Sequence, residues 1–408
     1  MATKAKLKAL PTPQSKSQPK VVKSQPKAVK SQPKIVKRRR EEAAPTFPTW
    51  RQRLEKVLGT PMIDESSVHF IYHNPGVRQV ALTGEFNQWD LHGVAMTPLG
   101  QTGIFYHTLE FHEPVRVEYK LIVDGQWIVD PLCPSTVDNG IGEQNSFFVV
   151  GDLQEPPELK WIPTIPHGRV EEFDYESKLL HNQRRVYVYL PPGYNRARAK
   201  RFPTLYVHDG GEYLTRAQLA TVVDNLIHSK AILPLIAVMV DPVDRMHEYH
   251  ANEDYARFVE QELIPDIDSR YRTLAQREAR GVIGASLGGL IATYLALSRP
   301  QLFAKAGGQS SAFFVAEETL TALVGGLTAS IAFYFDVGTY EPQFIPAHQR
   351  LVPLLEAKGC PCFFQELAGG HNWTSWRAHL KDFLTFFWGK GQKGLQLPKM
   401  AGKRAMLP

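Results

Sequence analysis

The sequence has few cysteines and no long apolar run. Its three cysteines, Cys133, Cys360 and Cys362, do not make a disulfide framework, and the Cys-Pro-Cys spacing is too close for a usual metal pair. No run approaches the roughly 20 apolar residues of a membrane span, and the basic start at residues 1–8 lacks the apolar stretch of a signal peptide. Gly-rich phosphate loops and metal-ligand clusters are also missing. We therefore expect a cytoplasmic protein without a membrane span, a metal or a cofactor.

Acidic residues are missing from residues 1–40, which hold ten Lys and three Arg. Removing those 13 from the 47 basic residues leaves 34 against 41 acidic residues, so the rest of the chain is mildly acidic. Residues 16–36 repeat Lys-Ser-Gln-Pro-Lys-x-Val with a period of seven, and the prolines exclude a coiled coil. We predict a disordered tail over residues 1–45 and a flexible one over residues 391–408. The first tail is either a solvated tether or an attachment to a polyanion; the lack of aromatic residues that stack on bases favours the tether.

The 408 residues are enough for two or three domains. From residue 65 to residue 152, short alternating apolar runs are separated by turn residues, which predicts an all-β sandwich of the immunoglobulin-like class. The runs are residues 68–72, 79–83, 103–109, 115–123, 127–129 and 146–150. Asp124-Gly125 lies between two of them and predicts a two-residue hairpin.

Several motifs of this region resemble the glycogen-binding modules of AMP-activated kinase β subunits and of glycogen branching enzymes. They are residues 84–89, 119–127, 130–131 and 145–146. The resemblance implies that Trp89 and Trp127 stack on glucose rings, that Lys120 and Asn145 bind hydroxyl groups, and that Ile141 threads a helical glucan. Flat aromatic faces suit the apolar faces of sugars. An α-glucan is therefore one candidate ligand, and the alternative is a module that only braces the next domain.

A proline-rich linker over residues 153–170 precedes a region, residues 171–390, in which strands and helices alternate. The predicted strands are residues 185–190, 204–208, 235–240, 281–283, 304–306, 332–335 and 362–364. The predicted helices include residues 216–230, 255–271 and 347–358. This alternation is typical of a mainly parallel sheet that helices cover on both faces.

The motif Gly-Ala-Ser-Leu-Gly at residues 284–288 lies between the predicted strand and an apolar segment, residues 289–297, that predicts a helix. Strand, G-x-S-x-G and helix together predict the nucleophile elbow of an α/β-hydrolase fold. The glycines permit a sharp turn that presents the Ser286 hydroxyl at the end of the strand. The amino terminus of the following helix then faces the oxyanion that develops during acyl transfer.

An acid and a histidine follow later strands in the chain order that α/β-hydrolases use. His371 comes after two glycines and is the candidate base for Ser286. Glu341 is our first choice for the acid that orients it, and Asp336, at the strand's edge, is the second. The backbone N–H groups of Leu287 and Gly211 are the candidate oxyanion donors.

This region resembles the esterase D and enterochelin-esterase group, which includes feruloyl and acetylxylan esterases and mycolyltransferases. The motifs that carry the resemblance are residues 205–210, 245–249, 262–265, 284–289, 370–371 and 376–377. In that group the acid ends a G-x-x-[D/E] loop, which here implies Glu341. Arg245 and Trp373 are candidates for substrate contact, while Arg245 and Glu248 are alternatively a structural ion pair. His208 is expected to line the pocket.

Together these patterns predict a serine carboxylic-ester hydrolase that acts through an acyl-enzyme. The resemblance implies enterochelin-type esters as substrates, whereas the sandwich favours an acylated polysaccharide with feruloyl or acetyl groups. Another class of function is a glycan-binding scaffold whose hydrolase domain is inactive. A third is a factor that binds a polyanion through its basic tail, which predicts binding that weakens steeply with salt.

Overall fold

The computed structural model describes residues 60–140, 142–196 and 199–390. The predicted tails, at residues 1–45 and 391–408, lie outside the described residues, as does Ile141. Disorder in those tails and attachment to a polyanion therefore stay predictions.

The first domain consists of two sheets whose pairings are antiparallel. Its strands are β1 Met62–Asp64, β2 Ser67–His73, β3 Val80–Gly84, β4 Val94–Ala95, β5 Thr97–Pro98, β6 Ile104–Glu110, β7 Val115–Val123, β8 Gln126–Ile128, β9 Thr136–Asp138 and β10 Gln144–Val150. One sheet has the order β1-β2-β6-β5, and the other has the order β4-β3-β7-β10-β9 with β8 paired to β7. The all-β domain is thus confirmed, and the immunoglobulin-like class stays a prediction.

The central strand β7 has buried side chains on both faces of its sheet. Val117, Tyr119 and Leu121 are buried in the core between the sheets, as the period of two requires. Glu118 and Lys120 point to the opposite face, and both are buried as well. A polar face of a sheet is normally solvated, so their burial indicates that something covers this face.

The predicted turn after β7 is confirmed. Val123 pairs with Gln126, which leaves Asp124 and Gly125 as the two turn residues. Both have positive φ, 46° and 85°, as a type I′ hairpin requires.

The second domain is an eight-stranded sheet with helices on both faces. Its strands are β11 Arg169–Ser177, β12 Asn182–Leu190, β13 Thr204–His208, β14 Ile236–Val240, β15 Arg280–Ala285, β16 Lys305–Gln309, β17 Ala332–Gly338 and β18 Cys362–Leu367. The order is β11-β12-β14-β13-β15-β16-β17-β18. The last six are parallel to one another, whereas β12 pairs antiparallel with both β11 and β14. This confirms the mainly parallel sheet.

The helices of this domain are α1 Gly210–Thr215, α2 Leu219–His228, α3 Arg245–Glu248, α4 Glu253–Phe258, α5 Ile264–Arg270, α6 Leu287–Ser298, α7 Glu317–Gly326, α8 Ile345–Ala357, α9 Trp373–Ala378 and α10 Leu380–Trp388. Apolar residues of α5, α6, α7 and α8 form one core cluster with the sheet, and those of α2 and α10 form a second. Two clusters against one sheet define a three-layer arrangement.

Three predicted boundaries are wrong. The helix predicted at 216–230 begins only at Leu219, because Gln218 adopts a left-handed φ of 52°. The helix predicted at 255–271 is divided by a π-helical segment, Val259–Leu263. Pro265, which lacks an N–H, is the second residue of the next helix, and the wider turn accommodates the missing hydrogen bond. The strand predicted at 304–306 continues through two glycines to Gln309.

Candidate active site

Residues that carry chemistry follow the parallel strands at one edge of the sheet. Asp209, Asp241, Ser286, Ser310, Glu341 and His371 come after β13, β14, β15, β16, β17 and β18 in that order. Because these strands are parallel, their carboxyl ends share one edge, which is where open α/β sheets bind ligands. The sheet therefore brings together residues that lie far apart in the sequence.

Ser286 lies in a strained turn between β15 and α6. Its φ of 58° and ψ of −121° are unfavourable for a residue with a side chain. A Cβ at Gly284 would overlap the backbone of Gly288, so the turn requires glycine there. The Ser286 N–H donates to the Gln309 carbonyl at 2.9 Å, and its carbonyl accepts from the Ala312 N–H at 3.0 Å. These bonds fix the turn against the neighbouring strand.

His371 is hydrogen-bonded to Glu341. The distance from His371 Nδ1 to Glu341 Oε1 is 2.5 Å, and Glu341 is buried. Glu341 Oε2 also accepts from the Ser310 hydroxyl at 2.7 Å and from the Gly338 N–H at 2.6 Å. An acid with this many donors is held in one place. Since Nδ1 is engaged by the acid, Nε2 is the ring nitrogen that is able to take a proton.

Aromatic rings fix the orientation of the imidazole. Phe344 stacks on His371 with ring centroids 4.6 Å apart, and Trp376 meets it edge-on at 4.9 Å. Trp376 Nε1 donates to the Ser310 hydroxyl at 2.9 Å. Ser310 thus connects Trp376 to Glu341. The sequence patterns did not indicate Ser310, because the predicted strand ended at residue 306, whereas the strand continues to Gln309 and places Ser310 directly after it.

Asp336, the second choice for the acid, has a different environment. It is buried within β17 and accepts a hydrogen bond from Gln309 Nε2 at 3.3 Å. Burial raises the pKa of Asp336 to about 7. A carboxyl that is partly protonated at neutral pH is poorly suited to stabilise an imidazolium ion.

The two candidate oxyanion donors are placed differently. Leu287 is the first residue of α6, directly after Ser286. The Gly211 N–H instead donates to Asp241 Oδ1 at 2.6 Å. Asp241 Oδ2 also accepts from the Tyr187 hydroxyl at 3.2 Å. In this structure the Gly211 amide is therefore occupied by a carboxylate, a contact that no sequence motif indicated.

The expected ion pair between Arg245 and Glu248 does not form. Arg245 makes a two-pronged contact with Asp209, at 2.8 and 2.9 Å. Glu248 forms a buried pair with Arg184, at 2.8 and 2.9 Å. Although a spacing of three residues would allow the two side chains to meet on one helix face, each has a buried partner on another element. Arg245 still lines the cleft described below.

His208 was expected to line the pocket, and this is wrong. It is buried at the end of β13, where its Nδ1 lies 3.1 Å from the Tyr255 hydroxyl and its ring meets Tyr249 edge-on. Burial lowers the pKa of His208 to about 3, so the ring stays neutral.

A cleft of about 870 Å³ lies between the two domains. The α/β domain contributes Ser286, His371 and Trp373 to its walls, and the β-sandwich contributes Trp89 and Trp127. The two sandwich tryptophans are nearly parallel, with centroids 6.3 Å apart and planes at 19°. The predicted sugar-binding face of the sandwich and the predicted catalytic serine therefore share one cleft.

The polar sugar-binding candidates also line this cleft, but both have partners within the protein. Lys120 Nζ is hydrogen-bonded to Glu143, and Asn145 Nδ2 donates to Glu118 Oε2 at 2.8 Å. Both side chains are buried. A ligand must therefore compete with these internal contacts to bind Lys120 or Asn145.

Acidic residues outnumber basic ones along the cleft. The carboxylic acids are Glu85, Glu118, Asp138, Glu143, Asp209, Glu212 and Asp241, and the bases are Lys120, Arg216, Arg245 and Arg377. Most of the bases are paired with these acids, as in the Arg216–Asp138 contact of 2.8 Å that joins the two domains. Carboxyl groups thus outnumber basic side chains in the cleft.

Two family models match consecutive parts of the chain. An all-β domain precedes an α/β domain of the esterase type, and residues 66–154 match the family model for the glycogen recognition site of AMP-activated protein kinase. Residues 177–387, more than half of the chain, match the Esterase family model. The protein belongs to the Esterase family.

Related proteins include an iron(III) enterobactin esterase of Escherichia coli, 27% identical over 278 residues that cover 64% of this chain and 68% of that protein. An endo-1,4-beta-xylanase/feruloyl esterase of Xylanibacter ruminicola is 29% identical over 167 residues, or 38% of this chain and 23% of the relative. The crystal structure of the Shigella flexneri enterobactin esterase in the presence of enterobactin has a TM-score of 0.67 at 23% identity, over 83% of this chain and 97% of that chain. That likeness shows the fold.

The described part of the chain also contains no helix with the length and apolar character needed to cross a membrane. The cytoplasmic location stays a prediction.

Proposed function

We propose that the protein is a serine carboxylic-ester hydrolase in which Ser286, His371 and Glu341 form the catalytic triad. The observation that carries this proposal is the 2.5 Å contact between His371 and buried Glu341, together with a strained Ser286 that lines the same cleft as His371. A base with an orienting acid and a serine on a sharp turn, all at one cleft, are the groups that a serine hydroxyl needs for activation.

The reaction proceeds in two halves. Ser286 Oγ attacks the ester carbonyl carbon while its proton passes to His371 Nε2. The bond to the alcohol oxygen breaks as His371 returns this proton to it, which leaves an acyl ester on Ser286. Water then attacks the acyl carbon with His371 again as the base, releases the carboxylic acid and restores Ser286. Glu341 orients His371 and stabilises the imidazolium ion in both halves.

The negative oxygen of each tetrahedral intermediate needs donors close to Ser286. The N–H of Leu287, at the start of α6, is the first donor that we propose, because the helix amino terminus adds a favourable partial charge. The Gly211 N–H serves as the second only after Asp241 releases it, since one N–H does not serve two anions at full strength.

The substrate class follows from the cleft and from the relatives. The enterobactin esterases among the relatives support a siderophore-type ester. A second candidate is an acylated glycan, for which the feruloyl esterase relative is a precedent. The specific observation in its favour is that Trp89 and Trp127 line the same cleft as Ser286. The surplus of acidic groups there also suits a neutral glycan better than an anionic iron(III) catecholate. A volume near 870 Å³ accommodates an ester with a few sugar units.

The hydrolysis of p-nitrophenyl acetate and butyrate tests the reaction class. Ser286→Ala is expected to lower kcat by at least about 10³-fold. Ser298→Ala, the same change at the other end of α6, is the matched control and is expected to keep the wild-type rate. A fluorophosphonate probe is expected to label the wild type and Ser298→Ala but not Ser286→Ala. Turnover or labelling that survives in Ser286→Ala contradicts the proposal.

Kinetics of the Trp127→Ala variant distinguish the two substrate classes. If the substrate is an acylated glycan, KM for a feruloylated oligosaccharide rises by about tenfold while KM for p-nitrophenyl acetate stays unchanged. Trp161→Ala is the control, because Trp161 is exposed in the linker and stacks on His167 outside the cleft. An unchanged KM for the oligosaccharide, together with hydrolysis of a catecholate ester, favours the siderophore-type substrate instead. A protein that binds glycan but neither labels nor hydrolyses any ester is the scaffold.

A further inference from the structure

One carboxyl group of the β-sandwich reaches into the second domain. Glu85 follows β3 and begins a short 3-10 helix, Glu85–Asn87. It is 4% exposed, and its Oε2 accepts a hydrogen bond from the Glu118 N–H at 2.8 Å. Its Oε1 accepts from Asn372 Nδ2 at 2.5 Å. Glu85 thus links the central strand β7 to the residue after His371.

The loop that carries His371 is shaped around this carboxyl group. Asn372 Oδ1 accepts from the Ser375 N–H at 2.9 Å and caps α9, so the amide nitrogen is the atom that faces Glu85. The Asn372 N–H donates to the Gly370 carbonyl at 3.0 Å and closes a tight turn around His371. A Cβ on Gly370 would overlap the Glu85 carboxyl group. Glu85 therefore packs against both chain neighbours of His371.

We propose that Glu85 is a positioning residue for the catalytic histidine, which makes the β-sandwich a working part of the active site. The proposal rests on the proposed function, since it assigns a second support to the base of that triad. Glu341 orients the imidazole from the hydrolase side at Nδ1. Glu85 holds the backbone turn of His371 from the sandwich side, through Asn372 and through the close fit at Gly370. Small displacements of a base reduce turnover strongly, so both supports contribute to kcat.

The charge state of Glu85 favours this role. Burial and the nearby Glu118 carboxylate raise the pKa of Glu85 to about 8, although the Glu118 N–H, Asn372 and Arg116 act in the opposite direction. Tyr340 is a further titratable group that interacts with it. At neutral pH most of the population is therefore protonated. Glu85 then acts through shape and hydrogen bonding rather than through a negative charge beside His371, and a neutral glutamine is an informative replacement.

The experiment compares Glu85→Ala and Glu85→Gln with the wild-type full chain. With p-nitrophenyl acetate, Glu85→Ala is expected to lower kcat about 10- to 100-fold and to leave KM within about twofold. The rate of fluorophosphonate labelling at Ser286 is expected to fall by a similar factor, because labelling needs the same base. Glu85→Gln keeps the size and one acceptor for Asn372 Nδ2, but its own NH2 then faces the Glu118 N–H, so we expect it to recover part of the lost rate.

A double-mutant cycle shows whether Glu85 acts through the loop. Asn372→Ala and Glu85→Ala break the same contact, so the double variant is expected to lose little more activity than the worse single variant. Glu155→Ala is the matched control. Glu155 forms an exposed pair with Arg377 Nη2 at 3.0 Å across the linker, and its loss is expected to leave kcat unchanged.

The outcomes are distinguishable. A Glu85→Ala variant with the wild-type kcat and labelling rate overturns the positioning role, and so does a variant in which only KM changes. Effects of Glu85→Ala and Asn372→Ala that add fully overturn it as well. If Glu85→Ala is too unstable to purify, Glu85→Gln at the rate of a triad knock-out overturns it. A wild type that neither labels nor hydrolyses refutes the proposed function and the positioning role together.

Discussion

His371 Nδ1 lies 2.5 Å from Glu341 Oε1, although 30 residues separate the two in the chain. The contact forms because Glu341 follows β17 and His371 follows β18, and these two strands are parallel neighbours. The Ser310 hydroxyl and the Gly338 N–H hold the same carboxyl group from the opposite side. Asp336 is only five residues before Glu341, but it lies inside the sheet, where its side chain meets Gln309.

We expect Glu341→Gln to reduce kcat for p-nitrophenyl acetate by about 10³- to 10⁴-fold. The amide neither holds the imidazole in the required tautomer nor stabilises its cation. Asp336→Asn is the matched control and is expected to change kcat by less than about threefold, an effect of under ~1 kcal/mol. Steady-state kinetics on both variants decides the assignment. If Asp336→Asn proves the more damaging change, the acid has been assigned to the wrong residue.

Asp336 is expected to control the pH dependence of stability. Its folded-state pKa is raised from 3.8 to about 7, so the folded protein binds the proton more tightly than the unfolded chain. The free energy of unfolding therefore falls as pH rises from about 4 to about 7 and then levels off. The shift corresponds to a penalty of up to about 4 kcal/mol above pH 7.

Urea unfolding of the wild type and Asp336→Asn at pH 5 and pH 8 measures this effect. The asparagine does not ionise, so the variant is expected to gain stability relative to the wild type between pH 5 and pH 8. Equal differences at the two pH values would contradict the raised pKa.

The sequence patterns predicted those parts of the fold that depend on residues close together in the chain. Alternation along β7, the Asp124-Gly125 turn and the G-x-S-x-G turn are all set by residues close together in the chain. The edge strand β11 was not predicted, because its sequence is largely polar: Arg-Val-Glu-Glu-Phe-Asp-Tyr-Glu-Ser. One face of an edge strand is solvated, so it need not carry a strong apolar signal.

The sequence patterns did not predict contacts between distant segments of the chain. Glu85 and Asn372 are 287 residues apart, and nothing in either motif indicates the other. The Asp241 contact with Gly211 depends on which strand lies next to β13 in the sheet, and the order of strands along the chain does not determine that. The sequence therefore pointed to individual site residues, whereas the structure was needed to find their supports.

The buried pair of Arg184 and Glu248 is expected to support the fold rather than the chemistry. The two side chains are 0% and 5% exposed and meet at 2.8 Å. Glu248→Ala leaves an unpaired buried cation and is expected to destabilise the protein by about 3–5 kcal/mol, while the double variant Arg184→Met, Glu248→Leu is expected to lose less. Chemical denaturation measures both. A double variant that is less stable than Glu248→Ala would show that the charges themselves stabilise the protein.

Asp241→Asn tests how the oxyanion is stabilised. Asp241 Oδ1 accepts the Gly211 N–H at 2.6 Å, and its negative charge opposes a second negative oxygen at the same amide. Asparagine keeps an acceptor but removes the charge, so we expect kcat to rise by several-fold, on the order of 1 kcal/mol of transition-state stabilisation. The start of α1 loses a favourable charge, and unfolding is expected to become easier by about 0.5–1 kcal/mol. Pre-steady-state acylation rates and urea unfolding measure the two effects. A fall in the acylation rate without a change in KM would instead mean that the Asp241 charge assists the reaction, and Gly211 would then not be an oxyanion donor.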